Sequence, residues 1–187
     1  WIAGSPITDW NPYYIWVGEW RTHPAFDWAI IPDVIDGDEA ANDDLLSEWP
    51  YSECGVPVWH LHESLDRLER LVVSYSRVAL GSSGEFRDPG THSWWERIND
   101  AMCIACDQHN RPRAKLHGLR MLDPAIFHRL PIASADSTNA AVNGSRKAKQ
   151  VGTNTLVGQT IIADRIESHQ SAGHWVATDR QRVLFTD

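Results

Sequence analysis

The chain has 187 residues, 42% of them apolar and 22% charged, with a formal net charge of -8. That is enough sequence for one folded domain with a sizeable core. No apolar run nears the roughly 18 residues of a membrane helix, the odd count of three cysteines argues against a disulfide framework, and the acidic balance argues against binding nucleic acid over the whole surface.

The elements alternate along the chain. Helical spacing of aromatics, with a proline in the first turn, predicts a helix over 11–23. "FDWAIIPD" (26–33) reads as a buried strand closed by Pro-Asp. Capping-type acids open a helix over 36–49. "VPVWHL" (56–61) is a strand, and Leu65, Leu68, Leu71 and Val72 give a helix over 63–75. "RVALGSSGE" (77–85) runs from strand into a Gly/Ser loop, followed by a helix over 91–109. Then come a strand over 113–121, a short helix over 123–130, a strand over 131–139 and a final helix over 154–170. The last residues, "QRVLFTD", read as a strand or tail.

Five strand-helix alternations with short apolar strands predict an α/β fold with a parallel sheet covered on both faces. A (β/α) TIM-type barrel of about five to six units fits as a single domain over 1–187, and an open doubly wound sheet fits less well. The nucleotide-binding version of the latter carries a glycine-rich phosphate loop after its first strand, and none is written there. Five strands do not close an eight-stranded barrel, and the chain opens Trp-Ile-Ala without Met, so either leading units are expected before Trp1 or the barrel is incomplete. Polar residues stand at the expected C-terminal end of every strand: Asp33; His60 and His62; Ser82 and Glu85; Lys115 and His117; Asp136. In a barrel these ends share one face, where chemistry is done.

Two readings of these residues need a metal. His60-x-His62 shares a strand face, and with His117 and Asp136 it resembles the ligand set of an amidohydrolase barrel, a combination suited to zinc. Cys103-x-x-Cys106 has the spacing of half a zinc site, but only Cys54 remains to complete it, so two packing cysteines on a helix are favoured.

Several blocks, taken in order, resemble the tRNA-guanine transglycosylase superfamily. "FDWAIIPD" is similar to the strand ending in the family's base-recognising aspartate, here Asp33. "VPVWHLHESLDRLERL" resembles the following strand, loop and helix, with His62 where relatives carry glutamine. "VALGSSGE" resembles the glycine-rich loop that ends in Gly84-Glu85, and "RPRAKLHGL" the Pro-Arg strand. "ASADSTNAAVNG" resembles the block that carries the nucleophilic aspartate, here Asp136, and ends Asn143-Gly144. The likeness covers 26–144, with 145–187 left as a C-terminal helix and tail. It is nearest to the phage and bacterial branch that modifies DNA.

What the resemblance implies is an exchange of guanine for a 7-deazaguanine in nucleic acid, DNA ahead of tRNA, through a covalent bond to Asp136. Asp33, His62, Gly84, Glu85, Lys115 and His117 would then border the bases. The family's second catalytic aspartate has no counterpart here and would lie before Trp1. The cysteine-rich zinc motif of the tRNA enzymes is also missing, and no cofactor is called for. Between Thr22 and Asp66 stand eleven acids and no Lys or Arg, whereas eight basic residues and two acids lie between Arg111 and Lys149. Arg146, Lys147 and Lys149 would therefore meet the nucleic-acid backbone. Expected partners are nucleic acid and the free base, with a homodimer compatible and no membrane. The expected location is the reducing cytoplasm. A barrel that binds nucleic acid without turnover is the other class of reading.

Overall fold

The computed structural model describes residues 9–176. It is a mixed α/β fold. In chain order the elements are α1 (Asn11–Trp20), β1 (Ala29–Ile30), α2 (Glu39–Glu48), β2 (Gly55–Val56), β3 (Val58–His60), α3 (Leu65–Ser74), β4 (Arg77–Gly81), α4 (His92–Ala105), β5 (Lys115–Gly118), α5 (Pro124–Phe127), β6 (Ser134–Ala135), α6 (Asn139–Val151) and α7 (Thr155–Glu167).

The helix starts follow local chemistry. Asp38, Ser64, Thr91, Asp123 and Asn154 each accept a backbone N–H of the first turn, of α2, α3, α4, α5 and α7 respectively. Helix α6 stops at Gly152, whose left-handed φ of 71° suits glycine.

All strand pairs are parallel: β1 with β2, β3 with β4, β4 with β5, and β5 with β6. Strands β2 and β3 are one run broken at Pro57, which has no N–H to donate but whose carbonyl still accepts from Ala79. The order across the array therefore equals the order along the chain. Alternate residues face opposite sides. Trp59, Val78, Leu80 and Leu116 face a large core built with Leu68 and Leu71 of α3 and Trp94, Ile98 and Met102 of α4. Val56, Val58 and Ala79 face the other way, with Trp28, Ile30 and Leu119 packed on them. The array bends enough for Trp28, beside β1, to set its ring edge-on to His117 of β5, with centroids 4.9 Å apart.

The described residues form no closed barrel, and β1 and β6 are left as edges. The strands expected over 26–33 and 131–139 pair only at Ala29–Ile30 and Ser134–Ala135. The C-terminal region holds two helices rather than one. Helix α6 went unread because Asn139, Asn143, Gly144 and Ser145 are weak helix formers, and tertiary packing on α7 supplies what propensity lacks. Gly144 lies inside α6 against Gln159, and Gly158 of α7 sits against the backbone of Gly144 and Ala148. Trp175 returns to the main core at 4% exposure, and "QRVLFTD" lies outside the described residues. No helix among the described residues is long and apolar enough to cross a membrane.

Candidate active site

The residues after β1, β3, β4 and β6 stand at the C-terminal ends of the parallel strands. Two histidine–carboxylate pairs organise them. In the first, His60 Nε2 lies 2.7 Å from Asp33 Oδ2. His60 is 2% exposed. Its Nδ1 has no hydrogen-bond partner and faces Gly81, its register partner on β4, where any Cβ would come within 2.8 Å. A buried N–H without an acceptor is costly, so the ring proton belongs on Nε2, donated to Asp33.

The loop that carries Asp33 is fixed from behind. Asn42 on α2 accepts the Val34 N–H and donates to both the Val34 carbonyl and Glu63 Oε1. The other Glu63 oxygen accepts the His60 backbone N–H and pairs with Arg67 Nη1 at 2.7 Å. Both side chains of that ion pair are at most 1% exposed. Arg97 stacks over Trp59 and donates to the Leu61 and Glu63 carbonyls.

In the second pair, His117 Nε2 lies 3.4 Å from Asp136 Oδ2. The imidazole is buried, and Asp136 is half open, with 54% of its side chain exposed. A hydrogen-bond chain backs it: Arg77 Nη1 donates to Ser134 Oγ at 3.3 Å, and Ser134 Oγ is 2.9 Å from His117 Nδ1. An ionised carboxylate can only accept, so the ring proton of neutral His117 lies on Nε2, facing Asp136, and Nδ1 accepts from the Ser134 hydroxyl. Asp136 Oδ1 accepts the Arg120 N–H at 2.7 Å, from a residue held at a left-handed φ of 60°. The His117 bond first, then the Arg120 amide, hold the Asp136 carboxyl below its ordinary range despite partial burial. Arg77 is itself anchored by Asp27 and by the face of Trp28.

His62 is exposed at the rim. Its Nδ1 is 2.7 Å from Ser83 Oγ and its Nε2 3.1 Å from the Gly37 carbonyl, so both ring nitrogens are occupied and a ring face is left for stacking. Gly84 backs onto the His62 Cβ, and Glu85 is exposed in the same turn. Lys115 is misplaced by the sequence reading. It opens β5, so it is exposed at the opposite end of the strand from the rim. The alternative zinc set is not assembled among the described residues either. His60 and His62 are committed to Asp33, Ser83 and Gly37, and no group of three His, Cys, Asp or Glu among the described residues could hold a metal ion. Cys106 caps α4, and burial pushes its thiol up to about 12. Arg146 and Lys147 line a groove between α6 and α7, and Lys149 lies outside its lining.

Sequence reading missed Ser134, Arg77, Glu63 and Arg67. Their signals were present. Ser134 is two residues before Asp136 and so shares its strand face, and Glu63 and Arg67 stand four apart at the start of a helix. Compared with protein-family models, with curated proteins and with solved structures, the chain gives no match.

Proposed function

We propose that this chain is a base-exchanging transglycosylase of the tRNA-guanine transglycosylase kind, acting on a guanine nucleotide of nucleic acid, with DNA favoured over tRNA. In this reading the bent parallel array is an arc of a (β/α) barrel. The observation that carries the reading is Asp136: an ionised, half-open carboxylate at a strand end, steered by a buried imidazole. A nucleophile at a sugar C1′ needs that combination of charge, access and fixed orientation.

Asp136 Oδ2 is the freer oxygen, since Oδ1 is held at 2.7 Å by the Arg120 amide. It attacks C1′ as the bond from C1′ to the base nitrogen breaks. Guanine leaves with the bonding pair and takes a proton from water. The sugar is then an ester of Asp136. The incoming 7-deazaguanine, its ring N–H deprotonated to water, attacks C1′ from the other side and frees the carboxylate. Two inversions retain configuration. Asp33 accepts from base N–H groups through Oδ1, because His60 occupies Oδ2. His62 offers its ring face to the base, and Gly84 and Glu85 border it. The target nucleotide must leave its stack to reach this rim.

The test is exchange of labelled guanine into a DNA duplex and into tRNA. Wild type should exchange with one of them, and Asp136→Asn should lose exchange by at least about a thousandfold. Exchange retained by that variant contradicts the assignment.

A further inference from the structure

Away from the paired histidines and carboxylates, α5, α6 and α7 enclose a groove of about 370 Å³. That is the size of a small-molecule site. Its lining is cationic at Arg146 and Lys147 of α6 and Arg165 of α7, acidic at Asp123, and apolar at Ile161 and Ile162 of α7. Arg165 reaches Asp123 at 3.9 Å, whereas neither Arg146 nor Lys147 meets an acid among the described residues. A chain of net charge -8 thus turns two unneutralised cations into one concavity. Such a concavity attracts an anion, since low-dielectric walls focus the field.

The frame is stiff. A Cβ on Gly158 would meet the Gly144 carbonyl at 2.1 Å, so α6 and α7 touch backbone to backbone beneath the groove. At its end nearest Asp136, Asn143 Nδ2 donates to Asn139 Oδ1 at 2.9 Å. The pair still presents the Asn143 carbonyl and an Asn139 N–H, one acceptor and one donor.

We infer that this groove binds a phosphorylated nucleoside unit, its phosphate on Arg146 and Lys147 and its base against Ile161 and Ile162. Arginine matches a phosphate with two parallel N–H donors, the isoleucines cover a flat ring, and the asparagine amides suit a base edge. The unit is either a free mononucleotide or one nucleotide of a strand. The site is distinct from the Asp136 rim, and it stands whether or not Asp136 reacts.

Calorimetric titration of the whole chain with dGMP, with deoxyguanosine and with an eight-nucleotide single-stranded DNA tests it. Binding of dGMP, or of the oligonucleotide alone, at one site per chain supports the inference and says which source the unit comes from. Deoxyguanosine, lacking phosphate, should not bind. Arg146→Ala and Lys147→Ala should each weaken binding about tenfold. Arg111→Ala, an exposed cation outside the groove, should change it less than about twofold. All three are surface changes, and circular dichroism checks that the helices persist. Absence of binding by both phosphate-bearing probes overturns the inference. So does indifference to Arg146→Ala and Lys147→Ala, or an equal loss with Arg111→Ala, which marks diffuse charge attraction. Because binding is read directly, a failure of base exchange leaves this test intact.

Discussion

His117 Nε2 and Asp136 Oδ2 stand 3.4 Å apart, a buried imidazole beneath a half-open carboxylate. The contact joins β5 to the end of β6 and is the largest cause of the lowered Asp136 pKa. A carboxyl whose native pKa is below its unfolded value stabilises the fold above the ordinary aspartate range, near pH 4. That contribution is lost as pH falls through the lowered native value. His117→Gln should move the Asp136 pKa back up toward ordinary and make the acid loss of stability shallower. Carboxyl NMR titration of both proteins measures the shift. An unchanged Asp136 pKa in the variant would rule out His117 as its main cause.

Gly81 is a glycine because His60 occupies the space of its side chain. A Cβ there would come within 2.8 Å of His60 Nδ1 and 3.3 Å of a Val58 methyl. Gly81→Ala should cost roughly 1–3 kcal/mol by overpacking and should push His60 off Asp33. Urea denaturation gives the first number, and the His60 ring-proton chemical shifts report the second. A stable variant with unmoved His60 signals would refute the account of this contact.

The Glu63–Arg67 pair is buried, with neither side chain more than 1% exposed. Removing one charge leaves the other stranded. Arg67→Met should cost about 3–5 kcal/mol near neutral pH. Adding Glu63→Gln should recover part of the loss at neutral pH, since no bare charge remains and the amide oxygen still accepts one of its two N–H partners. Denaturant midpoints for the single and double variants separate these terms, and a double variant no more stable than Arg67→Met would contradict a stranded carboxylate.

Two glycines hold α6 against α7 with different tolerance. At Gly144 a Cβ first meets Gln159 Cγ, the middle of a flexible side chain, and at Gly158 it meets the Gly144 carbonyl and the Ala148 nitrogen. Backbone cannot step aside. Gly158→Ala should therefore destabilise more than Gly144→Ala, by roughly 1–3 kcal/mol, and thermal melts of the two variants decide the order.

Much of the frame was legible in the sequence because its signals are local. The leucine spacing of α3, the Ser64 and Thr91 caps and the apolar run before His60 each fix an element within a few residues. The placement of Asp33, His60 and Asp136 at strand ends followed from those boundaries. Lys115 shows how a site residue is misplaced within a correctly found strand: even a strand over 113–121 sets it near the start, and pairing begins at Lys115 itself, so only His117 of the two nears the rim. What pairs with what was not legible. His60-x-His62 shows that two rings share a strand, but only the neighbouring strand and the Asp33 and Gly37 loops show that each ring is already occupied. Helix α6 was hidden for the same reason, since its stability comes from α7.

The most direct test of the central claim looks for the bond itself. Wild-type protein is incubated with a guanine-containing DNA oligonucleotide, quenched in acid and digested with trypsin. The account predicts a nucleotide-bearing mass on the peptide spanning 130–146, fragmenting to Asp136, and its disappearance in Asp136→Asn. An adduct on any other residue, or base exchange persisting in Asp136→Asn without one, would contradict it.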